Sequence, residues 1–215
     1  MFQTLFRRAF TILGAIVVLV AIAFVPRLTS TAQAPAPVIA SEASAPAANA
    51  SFDRQFIDMM VPHHQGAVAM ARLALTRAGH VQIKRLAQAI VADQASEITQ
   101  MKAWRQQWYG SAATPSMDAM PMLPDLKMTM DGASMMHDIA HLRTASPFDK
   151  AFIDAMTPHH QLAVAAATLE LSRGTHPRLK ALALTIIKGQ SRELGLMQAY
   201  RDLWYGSAMH SMSGM

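Results

Sequence analysis

Phe56-Ile57-Asp58-Met59-Met60-Val61-Pro62-His63-His64-Gln65 returns 96 positions on as Phe152-Ile153-Asp154-Ala155-Met156-Thr157-Pro158-His159-His160-Gln161. The register holds without a gap from Phe52-Asp53, answered by Phe148-Asp149, to Trp108-Tyr109-Gly110, answered by Trp204-Tyr205-Gly206. Between these ends Gln94, Glu97 and Met101 match Gln190, Glu193 and Met197. Packing alone preserves apolar character; it has no need of the same His-His, Gln and Glu at matched depths. Two equivalent polar sites in one chain are the first expectation.

Phe52, Phe56, Met59, His63, Gly66, Met70 and Leu73 step by fours and threes, which predicts one face of an α-helix. Ile57, Met60, His64, Ala67, Ala71 and Leu75 widen that face. Gly79, and Gly174 in the second copy, ends the helix, and a partner helix is predicted from about Val81 to Trp108. Thr175-His176-Pro177 supplies a cap and a first-turn proline for the last helix. Pro62 and Pro158 each remove a backbone donor inside the first helix of a pair, so a kink is expected beside the histidines. One hairpin cannot bury both seams, whereas two packed together make a four-helix bundle. With no β-branched alternation to suggest a sheet, the fold class is all-α, a four-helix bundle built from two repeated helical hairpins. Closure within one chain and exchange of hairpins between chains both satisfy the pattern.

Ile90, Gln94, Glu97, Met101, Trp104 and Trp108 place two polar residues in an apolar stripe, where burial without partners is costly. A turn near Gly79 sets His63 and His64 opposite Gln94 and Ala95, with Glu97 about one helical turn away. Around Thr175 the same depth argument sets His159 and His160 opposite Gln190 and Ser191, with Glu193 near. An imidazole and a carboxylate thus converge twice, with Met60 and Met101, or Met156 and Met197, near enough to supply sulfur. Consecutive helical residues point about 100° apart. One histidine of each pair is therefore expected to point inward, and the other to serve a neighbouring helix, a supporting hydrogen bond or a cleft. Trp104, Trp108, Tyr200 and Trp204 read as bundle-end and core residues, and Arg72, Arg77, Lys84 and Arg85 as solvated surface. His80 and His176 fall at the hairpin turns.

The chain has 215 residues and no cysteine, which excludes disulfides and thiolate metal sites. Its 17 methionines and nine histidines favour a soft or borderline metal. Arg7-Arg8 precede an apolar run from Ala9 to Val25, and Ala32-Gln33-Ala34 has the small-x-small pattern of a cleavage site. Residues 1–34 are read as a signal peptide, with an uncleaved anchor in the inner membrane as the alternative. Without them 16 basic residues face 14 acidic ones, a net charge of +2, so the high isoelectric point reflects the leader and not a nucleic-acid surface. Residues 35–50 read as a flexible Ala/Pro-rich tether, 51–110 as the first repeat, 111–146 as a connector, 147–206 as the second repeat and 207–215 as a tail.

The connector is far longer than two adjoining hairpins need, and seven of its 36 residues are methionine. Met117, Met120 and Met122 form one set, Met128 and Met130 another, and Met135-Met136-His137 lead to His141 one turn on. Set among Pro, Asp, Gly and Ser, this sulfur is expected to lack a packed face and to collect Cu(I), since thioethers prefer soft cations. Met209-His210, Met212 and Met215 repeat the theme in the tail.

The Phe-Ile-Asp-x-Met-x-Pro-His-His-Gln block, carried by both halves from Phe52 to Gly110 and from Phe148 to Gly206, resembles the family known as domain of unknown function 305. That resemblance implies an exported, ferritin-like helical bundle, some of whose members are linked to copper. It also implies that Asp58, His63, His64, Met70, Gln94, Glu97 and Met101 carry the family signature in the first copy, and Asp154, His159, His160, Gln190, Glu193 and Met197 in the second. Ala166 stands where Met70 does and Tyr200 where Trp104 does, so the second site is expected to be weaker toward a soft metal.

The function expected from these residues is an exported, periplasmic copper-binding protein that sequesters Cu(I) or Cu(II) or hands it to other exported copper-handling proteins. No catalytic residue is assigned, both a monomer and a homo-oligomer satisfy the pattern, no nucleic acid is expected as partner, and the membrane is met only through the N-terminal segment where it stays uncleaved. A ferritin-like metalloenzyme is the alternative, yet its Glu-x-x-His pairs do not occur in the sequence. A structural or interaction module that binds no metal tightly is the third reading.

Overall fold

The computed structural model describes residues 47–123, 125–126 and 131–206. The leader, most of the tether, Met128, Met130 and the Met/His tail lie outside the described residues. Among the described residues five helices follow one another: α1 (Ala47–Arg77), α2 (Val81–Tyr109), α3 (Gly132–Leu142), α4 (Phe148–Arg173) and α5 (Pro177–Tyr205). No strand occurs among the described residues. α1 takes in the last residues of the expected tether, since alanine is the best helix former. Both α1 and α4 continue through their internal prolines. Gly110 ends α2 in the left-handed region at φ 76°, which a residue without Cβ adopts freely. No helix among the described residues is long and apolar enough to cross a membrane.

α1 packs along α2 and α4 along α5, while α1 and α4 form the seam between the repeats within one chain. Asp53, near the start of α1, accepts from the Thr175 backbone N–H (2.9 Å) just beyond the end of α4, so the two helices run antiparallel. Its repeat equivalent, Asp149, accepts from the backbone N–H groups of Gly79 (3.0 Å) and His80 (2.8 Å). Each repeat thereby ties down the hairpin turn of the other. Arg77 lies 4.9 Å from the Phe148 ring centre and Arg173 4.5 Å from that of Phe52, a second reciprocal pair. His80 stacks on Trp204 at 3.8 Å and His176 on Trp108 at 3.7 Å, closing the bundle ends with aromatic faces. These contacts relate the repeats by a pseudo-twofold axis.

Arg77 departs from the expected solvated surface, because it donates to the carbonyls of Leu142 and Ala145 at the end of the connector. The connector departs further. Asp131 caps α3 by accepting from the Ser134 N–H (2.9 Å), and the helix packs on α1 and α4. Met135 Sδ lies 1.9 Å from where a Cβ on Gly66 would stand, and the repeat equivalent of Gly66 is Leu162. The missing side chain on α1 is the seat of a connector methionine. Met120 and Met135 are therefore core residues, Met117 and Met122 pack against the core in part, and Met136, His137 and His141 face outward. The expectation that this sulfur has no packed face is corrected for Met120 and Met135.

Candidate metal centre

His63 and His64 leave α1 in different directions, as the angular step of a helix requires. His64 turns to its own hairpin partner, where Nε2 donates to Glu97 Oε2 at 2.7 Å. His160 repeats the bond with Glu193 Oε2 at 2.7 Å. The expected turn position was slightly early: pairing of 64 with 97 centres the hairpin past His80, which brings Glu97 and not Gln94 to the imidazole. His63 and His159 turn instead to the seam. Their rings stack at 3.6 Å between centres, and His159 Nε2 donates to the His63 carbonyl at 3.0 Å.

All four imidazoles are fully buried. Burial holds His63 and His159 well below the ordinary imidazole value of 6.5, and neighbouring histidines push the same way, so both are neutral at pH 7. Because a carboxylate only accepts, Nε2 of His64 and His160 donates, and in the neutral form of a ring bonded this way Nδ1 keeps a lone pair. Five imidazole nitrogens have no hydrogen-bond partner: both of His63 and the Nδ1 of His64, His159 and His160. Both amide ends of Gln94 and Gln190 are also buried and unpartnered. Orphaned buried polar groups are costly in a folded chain, and neutral imidazole lone pairs are what a soft or borderline cation binds. The donor set therefore fits a metal.

Met60, Met70 and Met101, with Met156 and Met197, are fully buried in the same core, and Ala166 replaces a thioether in the second copy. Asp58 and Asp154 are placed otherwise. Arg105 grips Asp58 through Nε (2.6 Å) and Nη2 (3.2 Å), and Arg201, its repeat equivalent, donates to Asp154 at 2.8 Å. A guanidinium neutralises each carboxylate; the equal spacing of 47 residues in both pairs was the signal in the sequence. No three His, Asp or Glu side chains among the described residues form a ready cation cage. On α3 the exposed rings of His137 and His141 lie parallel, 6.4 Å apart, one helical turn from each other.

One buried acid stands outside this scheme. Glu170, at the end of α4, lies buried under Gly174, and burial first, then the Asp53 carboxyl group beside it, pushes its pKa up to about 10. The folded chain holds a proton there that the unfolded chain releases above about 4.5. The stability this group contributes is thus complete below that value and is lost as pH rises toward 10. Glu170→Gln, which imitates the protonated form, should raise Tm by roughly 4 °C or more at alkaline pH. In acid, below the ordinary carboxyl range, its melting curve should overlay that of the parent.

The model of the family described as "Domain of unknown function (DUF305)" matches residues 53–201. No curated protein matches the chain. Among solved structures, CopM in the Cu(I)-bound form is 39% identical over 72% of this chain and 98% of its own, with a TM-score of 0.59. CopM in the Cu(II)-bound form is 40% identical over 71% of this chain and 97% of its own, with a TM-score of 0.61, and CopM has also been solved with silver. A putative secreted DUF305 protein from Streptomyces coelicolor is 28% identical over 69% of this chain and 89% of its own, with a TM-score of 0.57. The family model spans more than half of the chain, and the chain belongs to the DUF305 family.

Proposed function

We propose that this chain is an exported copper-binding protein that sequesters Cu(I), takes Cu(II) as well, and hands copper to other exported copper-handling proteins. The observation that carries this reading is the set of five uncommitted nitrogens on four buried imidazoles, two of which are held neutral. Each half of the centre also supplies one buried carboxylate, Glu97 or Glu193, enough to balance one monovalent cation away from water. That charge count and the surrounding thioethers of Met60, Met70, Met101, Met156 and Met197 favour Cu(I) over a divalent ion. Glu97 and Glu193 act through the histidines, fixing their tautomer and orientation. The similarity to CopM, solved with copper and silver, supports the same reading.

A second group of donors lies on the connector. Met117, Met122, Met136, His137 and His141 are at least partly exposed and supply an outer set of soft and imidazole donors, with Met128 and Met130 in the same connector of the sequence. Imidazole must shed its proton to bind metal whereas thioether has none to shed. Export follows from Arg7-Arg8, the apolar run and Ala32-Gln33-Ala34.

Anaerobic Cu(I) titration of the chain without its leader tests this reading. About two tightly held equivalents should disappear in His64→Leu/His160→Leu, while equivalents held by connector thioethers remain and persist into mildly acid solution. Unchanged stoichiometry and affinity in that variant would show that copper does not use the bundle.

A further inference from the structure

Although α1 and α4 meet closely, α2 and α5 scarcely touch, and the space between them is a cleft of about 800 Å³. Its lining includes Asp93, Gln94 and Glu97 from α2, and Gly189, Gln190 and Glu193 from α5. Glu97 and Glu193 are the same carboxylates that hold His64 and His160 at 2.7 Å. The cleft is therefore separated from each imidazole by a single side chain.

Three features set this cleft apart from a packing defect. Gln94 and Gln190 are 2% and 4% exposed, border it on both sides, and have no partner for either amide atom. Asp93 lines the same cleft, where burial first and then the charges of Glu193 and Glu97 raise its pKa, while Arg192 offsets part of that repulsion. Its repeat equivalent is Gly189, in mid-helix, where an added Cβ would meet nothing within 4 Å. Glycine inside a helix sacrifices stability relative to alanine, and no neighbour here requires it. With no side chain at Gly189, that stretch of the cleft wall faces open space. Asp93 on α2 and Arg178, Lys188 and Arg192 on α5 border the cleft as exposed residues whose charges meet at its mouth, whereas Glu97 and Glu193 form its buried floor.

We propose that the cleft between α2 and α5 is the port through which copper reaches the central imidazoles, with Asp93, Glu97 and Glu193 as the carboxylates that draw the ion in and exchange for its water. This rests on the copper reading above. It assigns a role to Asp93 and Gly189 that binding at the histidines alone does not need. Carboxylates between low-dielectric walls concentrate the field on an incoming cation, an effect on association rate more than on affinity.

The test is the rate at which Cu(I), supplied anaerobically as its cationic acetonitrile complex, loads the chain without its leader. Transfer to the buried centre is the phase that His64→Leu/His160→Leu lacks. Gly189→Phe, whose ring enters the open space, should slow that phase at least about tenfold while the final copper content stays that of the parent. Asp93→Asn should slow it at low salt and lose its effect at high salt, where screening removes the steering. A folded Gly189→Phe protein that loads at the parent rate overturns the port. If that variant loses helix content, an unchanged low-salt rate in Asp93→Asn overturns it instead. A parent with no phase dependent on His64 and His160 overturns the copper reading, and the port with it.

Discussion

His63→Leu/His159→Leu is expected to raise the stability of the metal-free protein while abolishing tight copper binding at its centre. The two imidazoles bring three unpartnered buried nitrogens and form one hydrogen bond, from His159 Nε2 to the His63 carbonyl. Each unsatisfied buried polar group costs about 1–3 kcal/mol, whereas one neutral hydrogen bond contributes only about 1 kcal/mol net. Leucine is close in size and leaves no such group, so a gain of about 2 kcal/mol, or roughly 6 °C in Tm, is the expected balance. Copper affinity at the centre should fall by at least about a hundredfold, since direct donors are being removed. Calorimetry of the metal-free protein and competition with a Cu(I) chelator check the two halves separately. A variant that melts earlier and still holds copper would mean that the stacked pair is structural.

Acid should destabilise the metal-free protein steeply. The values of His63 and His159 are depressed in the folded state, so between them and 6.5 the unfolded chain binds two protons that the native chain refuses. Stability is then complete above about 6.5 and declines as pH falls below it, by about 3 kcal/mol per pH unit for the pair. Denaturant melts from about pH 7 to about pH 5 should show this slope, and His63→Leu/His159→Leu should lack it. Bound copper should move the acid midpoint lower, because metal and proton compete for the same lone pairs. A parent and double variant with parallel pH profiles would refute neutral burial.

The bundle and the convergence of an imidazole with a carboxylate in each half were legible because they depend on one hairpin at a time, although the turn was set too early to pair His64 with Glu97 and His160 with Glu193. His63 against His159 was not legible. That contact depends on how two hairpins cross, and the repeat pattern is the same whether they close within a chain or between chains. The seating of Met135 was missed for a different reason: its signal is Gly66 facing a leucine in the second copy, a hole and not a motif. Asp53 and Asp149 were visible as repeated residues but had no assigned task, since their partners lie in the turn of the opposite repeat. Pairing of Asp58 with Arg105 and of Asp154 with Arg201 could have been read from their common spacing.

The exchanged aspartates carry a consequence for how such a chain could arise. Asp53 completes the turn at Thr175, and Asp149 completes the turn at Gly79 and His80. A lone hairpin would own a carboxylate with no turn to grip and a turn with no carboxylate. Two identical hairpins supply both needs at once, as in the self-complementary interface of a twofold dimer. Gene duplication and fusion of such a dimer would preserve the interface from the first generation. The two halves would then be free to diverge, one gaining a glycine beneath the connector and the other a glycine at the cleft, without either losing its closure.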